Sequence, residues 1–170
     1  GIKNKKHNYK LLILPSYVMM SKEEADAVRK YVADGGTVIM TAYSATVDEH
    51  NQVFATTRPG RLSDVFGIRV AGFDRTGEEW RDFAVDARIV EDEKGKRELL
   101  RVSADEPFYI DVEYYEELEL RTAREYTSFP DKDMCAVSVN EYGKGRAYYV
   151  AAESNTTLLK WLVSKLIPLL

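Results

Sequence analysis

A disulfide framework is the first thing this sequence excludes. Cys135 is the single cysteine, so no bridge can form within the chain and a reducing compartment is permitted. Histidine is almost as scarce. His7 and His50 are the only two, too few for a histidine-based zinc site, which needs several nitrogen or sulfur ligands at close spacing, and no metal or other cofactor is expected. Neither Gly-x-Gly-x-x-Gly nor a Walker loop follows the first strand pattern; Gly143-Lys144-Gly145 precedes a strand pattern and reads as a hairpin turn. A nucleophile elbow is missing too, because Tyr43-Ser44-Ala45, the nearest candidate at a strand end, has no glycine on either side. Cys135 is no substitute. It lies in the apolar run Met134-Cys135-Ala136-Val137 with no histidine or cationic cluster near it in sequence, and reads as a buried, inert thiol. Positive charge is in deficit: 24 Lys and Arg against 28 Asp and Glu give −4 at pH 7 and a pI near 5.3, which argues against a nucleic-acid partner. The basic cluster Lys3, Lys5, Lys6 and His7 reads as a solvated chain end. No secretory leader and no apolar run long enough to span a bilayer is visible, so the expectation is a soluble protein without a membrane partner.

What is present is ordinary globular usage, 170 residues with 45% hydrophobic and 31% charged, enough for one domain over residues 1–170 with a real core. The organising stretch is residues 9 to 41. Leu11 to Leu14 form a short unbroken apolar run closed by Pro15, read as a strand buried on both faces, and Val38 to Met40 repeat the pattern. Between them lies a helix. Ser21 and Glu24 have capping-box spacing; Ala25, Val28, Tyr31 and Val32 share a face; Gly35 supplies a left-handed stop. Strand, helix and strand in that order predict two parallel neighbours joined by a right-handed crossover.

Residues 42 to 60 then form a segment of about 19 residues without an element of its own, longer than compact domains usually carry without a use. It leaves the carboxyl end of a parallel strand, where open α/β sheets place their binding loops. Its polar residues, Tyr43, Ser44, Asp48, Glu49 and Arg58, are the candidate interface or binding residues. Leu62 to Phe66 reads as a helical turn closed by Gly67, and Ile68 to Phe73 as a strand. Beyond it, Trp80 to Val90, Glu98 to Val102, Tyr109 to Leu120, Met134 to Asn140 and Arg146 to Ala152 are rich in β-branched and aromatic residues, with turn signals at Asp92 to Gly95 and Tyr142 to Gly145. They read as β-hairpins added to the α/β layer. Tyr109, Tyr114, Tyr115, Tyr126, Tyr142, Tyr148 and Tyr149 could stack on sugars, but at strand positions simple packing is the reading taken. The acid pairs Asp48/Glu49, Glu78/Glu79 and Glu116/Glu117 read as charged surface rather than as a glycosidase pair. Thr156 to Leu170 is read as a helix with a wide apolar face.

Several motifs, taken in order, resemble one family. Tyr9 to Pro15, Tyr31-Val32-x-x-Gly35-Gly36-Thr37, Val47-Asp48-Glu49, Arg58-Pro59-Gly60-x-Leu62, Val65 to Val70 and Gly143 to Tyr149 together look like the trimerisation domain of bacterial family 42 β-galactosidases, over most of the chain. The resemblance implies a three-layer parallel-sheet α/β sandwich, related to flavodoxin-like and class I glutamine amidotransferase folds but without the amidotransferase nucleophile. It implies no catalytic residue here, since the family's acid/base and nucleophile glutamates belong to a barrel domain of the same chain, while this domain packs subunits into a homotrimer near the active-site mouth. It also implies a bacterial, cytoplasmic protein. Two departures stand out: Ala45 and Thr46 replace the expected glycine and aliphatic residue before Val47, and the family domain's first strand and helix are missing upstream of Tyr9. The second points to a fragment of a longer enzyme. The competing reading is a stand-alone carbohydrate or small-ligand module using residues 42 to 60; a degenerate amidotransferase-like enzyme would need a nucleophile that the sequence lacks.

Overall fold

The computed structural model describes residues 9–54, 57–75, 83–85, 90–91, 97–98, 108–110, 112–129, 134–154 and 157–170. The strand–helix–strand unit forms as its sequence predicts. β1 (Leu11–Leu14) and β2 (Thr37–Thr41) pair in parallel, Leu12 opposite Val38, across α1 (Lys22–Ala33). The capping box closes at the start of α1: Ser21 Oγ accepts from the Glu24 N–H at 3.2 Å, and the Ser21 N–H donates to Glu24 Oε2 at 3.0 Å. At its end the Gly35 N–H donates to the Val32 carbonyl and the Gly36 N–H to that of Tyr31. Gly35 takes φ +114°, a conformation that L side chains rarely adopt, so the helix stop is the glycine's own.

A turn of 3-10 helix (Gly60–Leu62) leads into α2 (Ser63–Phe66), closed by Gly67 at φ +64°. The strands that follow are β3 (Ile68–Arg75), β4 (Phe83–Val85), β5 (Val90–Glu91), β6 (Arg97–Glu98), β7 (Phe108–Ile110), β8 (Val112–Leu120), β9 (Arg124–Phe129), β10 (Met134–Tyr142), β11 (Gly145–Val150) and β12 (Ala152–Ser154), before α3 (Thr157–Leu166) and a last 3-10 turn (Ile167–Leu169). The main sheet runs β1-β2-β11-β10-β9, and a second sheet runs β12-β8-β3. The added hairpin strands are seen as the β4/β7 and β5/β6 pairs; the turn signal at Asp92 to Gly95, Trp80 and the basic cluster at the start lie outside the described residues.

Two expectations need correction. The main sheet is mixed, not wholly parallel: β1, β2 and β11 run parallel, but β10 and β9 run antiparallel to their neighbours. The reason is the turn Gly143-Lys144 between β10 and β11, since two residues can join only antiparallel neighbours. Nor is β1 buried on both faces. It is the edge of the described sheet, and Ile13 keeps 36% of its surface; a short apolar run fixes the period of a strand and not its place in the sheet.

Alternation sorts the side chains of the sheet into two cores. Val38, Met40, Ala147 and Tyr149 face α1 and α2, while Ile39, Tyr148, Val150, Val137 and Val139 face α3 through Leu158, Leu162 and Leu166. Helix, sheet and helix thus form three layers, as expected. The apolar face of the last helix is core over α3 only, because Ile167 and Leu169 in the 3-10 turn are 60% and 57% exposed.

The Gly143-Lys144-Gly145 motif has a structural use. Its turn lies against the end of α1, with the Lys144 N–H donating to the Ala33 carbonyl at 3.0 Å, and a Cβ on Gly145 would stand 2.2 Å from the carbonyl oxygens of Val32 and Gly36. Gly145→Ala should therefore lower stability by about 1–3 kcal/mol through overpacking, and Gly35→Val by at least about 1 kcal/mol through its backbone angle. Thermal unfolding measures both; an unchanged melting temperature in either variant would refute the corresponding account.

Candidate functional site

The segment after β2 is ordered by hydrogen bonds to the chain that leaves β1. The Ala45 N–H donates to the Tyr17 carbonyl at 2.8 Å, Thr46 N–H to Val18 at 2.9 Å and Met20 N–H to Val47 at 3.0 Å. Isolated bridges join Met19 to Val47 and Val47 to Val53. Asp48 shapes the tip. Its Oδ1 accepts from the N–H groups of His50 and Gln52, each at 2.9 Å, a local side-chain turn. These bonds, that from Gln52 foremost, hold the Asp48 carboxyl below its usual range. Glu49 pairs with Arg61 at 2.9 Å, and the Arg61 guanidinium lies 5.2 Å from the Phe54 ring.

Beneath this loop sits a fully enclosed charge. Glu116 on β8 is 1% exposed, yet four donors reach its carboxylate. Arg58 Nη1 donates to Oε1 at 2.7 Å, the Tyr114 hydroxyl to Oε1 at 3.0 Å, the Tyr43 N–H to Oε1 at 3.2 Å and the Tyr149 hydroxyl to Oε2 at 2.6 Å. Arg58 also donates from Nη1 to the Tyr114 hydroxyl at 2.6 Å, and Phe73 covers the guanidinium at 4.5 Å. Burial, with the Glu116 charge adding to it, pushes the Tyr149 phenol well above its usual range and raises that of Tyr114 as well. Both phenols remain protonated donors at neutral pH.

The candidate residues of the sequence divide into three groups. Tyr43, 42% exposed, and Arg58 come together at 5.9 Å. Half-buried Asp48 and exposed Glu49 form a separate tip with Arg61. Ser44 is turned inward, fully buried, where its Oγ accepts from the Tyr17 N–H at 2.8 Å, so it supports the loop and is not part of its surface. The reading of Glu116 as charged surface is overturned. A signal for it existed: along β8, Val112, Tyr114, Glu116 and Leu118 share one face by alternation, and the outer members of that series are apolar. Tyr126 and Tyr148 are buried and pack in the core, whereas buried Tyr149 also donates to Glu116. Cys135 is half-buried, and burial pushes its thiol up to about 12, in keeping with an inert residue.

Fold and site together define a mixed α/β domain in which a buried carboxylate with four donors ties a loop to two sheets. The sequence model of the beta-galactosidase trimerisation domain matches residues 2–168, and the chain belongs to that family. Beta-galactosidase Pbg of Clostridium perfringens is 29% identical over 158 residues, covering 93% of this chain and 22% of the relative. Beta-galactosidase BgaA of Planococcus sp. strain SOS Orange is 30% identical over 160 residues, covering 94% and 22%. The solved structure of a catalytic mutant of Gan42B, a GH42 beta-galactosidase from G. stearothermophilus, superposes with a TM-score of 0.74 at 26% identity over 94% of this chain and 21% of that one. The chain thus spans about a fifth of the length of the relatives it matches.

Removing one partner of a buried pair strands the other charge. Arg58→Met and Glu116→Leu should each cost about 3–5 kcal/mol, and the double variant less than the sum of the two; strict additivity in chemical denaturation would show that the pair does not act as a unit. The raised tyrosines give a second outcome. Their contribution is complete below the unfolded value of about 10 and is lost as pH rises through the folded values. Stability should fall above about pH 10, with a shallower fall in Tyr149→Phe; equal slopes in an alkaline melting series would contradict this.

Proposed function

We propose that this domain is the non-catalytic assembly segment of a bacterial, cytoplasmic family 42 β-galactosidase, packing its subunits into a homotrimer beside a catalytic barrel of the same chain. The observation that carries this reading is the family match over residues 2–168 in a chain that spans only about a fifth of its relatives. The remaining four-fifths of such a protein leaves room for a barrel with the acid/base and nucleophile glutamates that hydrolyse terminal β-galactosides. A glutamine amidotransferase-like ancestry of the fold is supported by three parallel strands with helices on both faces, and the lost nucleophile accords with the missing elbow.

The loop of residues 42 to 60 forms part of the contact between subunits near the active-site mouth. A cyclic trimer uses two unlike patches, one on each side of the subunit boundary. Tyr43 and Arg58 lie nearest the inner part of this patch and Asp48 and Glu49 at its rim, with Ser44 as internal support. A rim charge contributes little, roughly 0–1 kcal/mol, so Asp48 and Glu49 modulate the contact without anchoring it.

Light scattering on the full-length protein tests the reading. The expected result is a trimer that weakens when Asp48 and Glu49 are both replaced by Ala; a monomer at micromolar concentration would overturn it. The isolated chain should leave a chromogenic β-galactoside unhydrolysed, and turnover abolished by changing one of its own carboxylates would contradict the division of labour. Calorimetry separates the stand-alone carbohydrate module, which would bind a β-galactoside measurably.

A further inference from the structure

We propose that the aromatic collar of Tyr43, Phe73 and Tyr114 around the Arg58 guanidinium is the anchor of the contact with a second copy of this chain, which inserts a carbonyl or carboxylate oxygen against Arg58. The proposal rests on the reading of the domain as an assembly segment and names the part of its surface that holds the copies together. Phe73 lies over the guanidinium at 4.5 Å and still exposes 62% of its surface. Tyr43 exposes 42% and meets the Tyr114 ring edge-on, 5.5 Å between centroids at 88°. Exposed aromatic rings already ordered around an arginine have the composition that dominates binding hot spots, and two side-chain torsions per ring leave little entropy to lose.

The cation is half used. Its Nη1 serves Glu116 and Tyr114, whereas among the described residues no acceptor meets its Nε–H or Nη2–H. Glu116 thereby acts as a positioning residue: it fixes one edge of the guanidinium and leaves the other for a planar oxygen acceptor, the geometry that arginine recognises best.

Backbone strain points to the same place. Among the described residues the non-glycine positions with positive φ are Ser16, Tyr43, Ala45 and Asn51, all in the loops that leave the carboxyl ends of β1 and β2. Tyr43, at φ +67°, is held there by the bond from its N–H to Glu116. A glycine would relieve that strain but could not present a ring. A second copy is the occupant because the chain belongs to a trimerisation family and the collar is continuous with the loop assigned to the subunit boundary. A cyclic trimer needs a heterologous partner patch, so a collar meets a different surface and not another collar. A sugar finds no enclosure on the exposed rings; a basin of about 470 Å³ lies at the amino ends of the strands instead, lined by Lys10, Thr37, Lys144 and Arg146.

The test uses the full-length protein with Tyr43→Gly and Phe73→Ser, separately and combined. Both positions are exposed, and the glycine suits its backbone angle, so the melting temperature of the variants should hold. The expected result in sedimentation equilibrium is trimer dissociation at concentrations at least about 100-fold higher for the double variant than for wild type, two hot-spot residues being lost. A trimer indifferent to the double variant, while Asp48 and Glu49 replacement still weakens it, would remove the collar from the contact and leave the assembly reading standing. A wild-type protein that is monomeric at micromolar concentration would overturn both. An intact trimer with a lowered melting temperature would assign the collar to packing within one chain. Lactose binding that saturates in wild type and vanishes in the double variant would assign it to sugar; each of these last two outcomes overturns the proposal.

Discussion

The ion pair of Glu116 and Arg58, with the tyrosines around it, ties the loop after β2 to both sheets. Glu116 stands on β8 in the smaller sheet, Tyr149 on β11 in the main sheet, and Tyr43 and Arg58 on the loop between β2 and α2. Taking a carboxylate out of water costs several kcal/mol unless donors replace the lost hydration. Here four do, one of them charged, and each comes from a different residue of the fold. The loop therefore cannot leave the sheet without stranding a charge. That constraint adds to the backbone bonds by which the loop is already held to the chain leaving β1.

The change from parallel to antiparallel pairing across the main sheet decides where this can happen. The parallel strands β1, β2 and β11 send their carboxyl ends to one side, where a sheet of this kind exposes its loops. The antiparallel half, β10 and β9, adds Val137, Val139 and Tyr126 to the core against α3. The smaller sheet then brings β3 and β8 beneath the loops, which puts Phe73, Tyr114 and Glu116 under Tyr43 and Arg58.

The charge at this site is used to hold the structure together. A catalytic carboxylate keeps an oxygen open to substrate, whereas both oxygens of Glu116 are taken up by the protein. What faces outward is aromatic surface and a part of one guanidinium, chemistry suited to holding another surface in a fixed position. This agrees with membership of a family defined by assembly.

Local signals were legible in the sequence because they act over a few residues. The capping box of Ser21 and Glu24, the glycine stop at Gly35, the parallel pairing that a crossover helix imposes and the turn at Gly143-Lys144 are each set by neighbours in the chain, and the ordered motifs were enough to point to the family. The burial of Glu116, the inward turn of Ser44 and the edge position of β1 in the described sheet were decided only in three dimensions. Arg58 and Glu116 are 58 positions apart, and Glu116 and Tyr149 are 33. A composition reading sees an acidic pair at Glu116 and Glu117 and assigns it to solvent. Only the packing of two sheets against one loop gathers the donors that let one of those acids be buried, because desolvation is a property of the assembled environment and not of the residue.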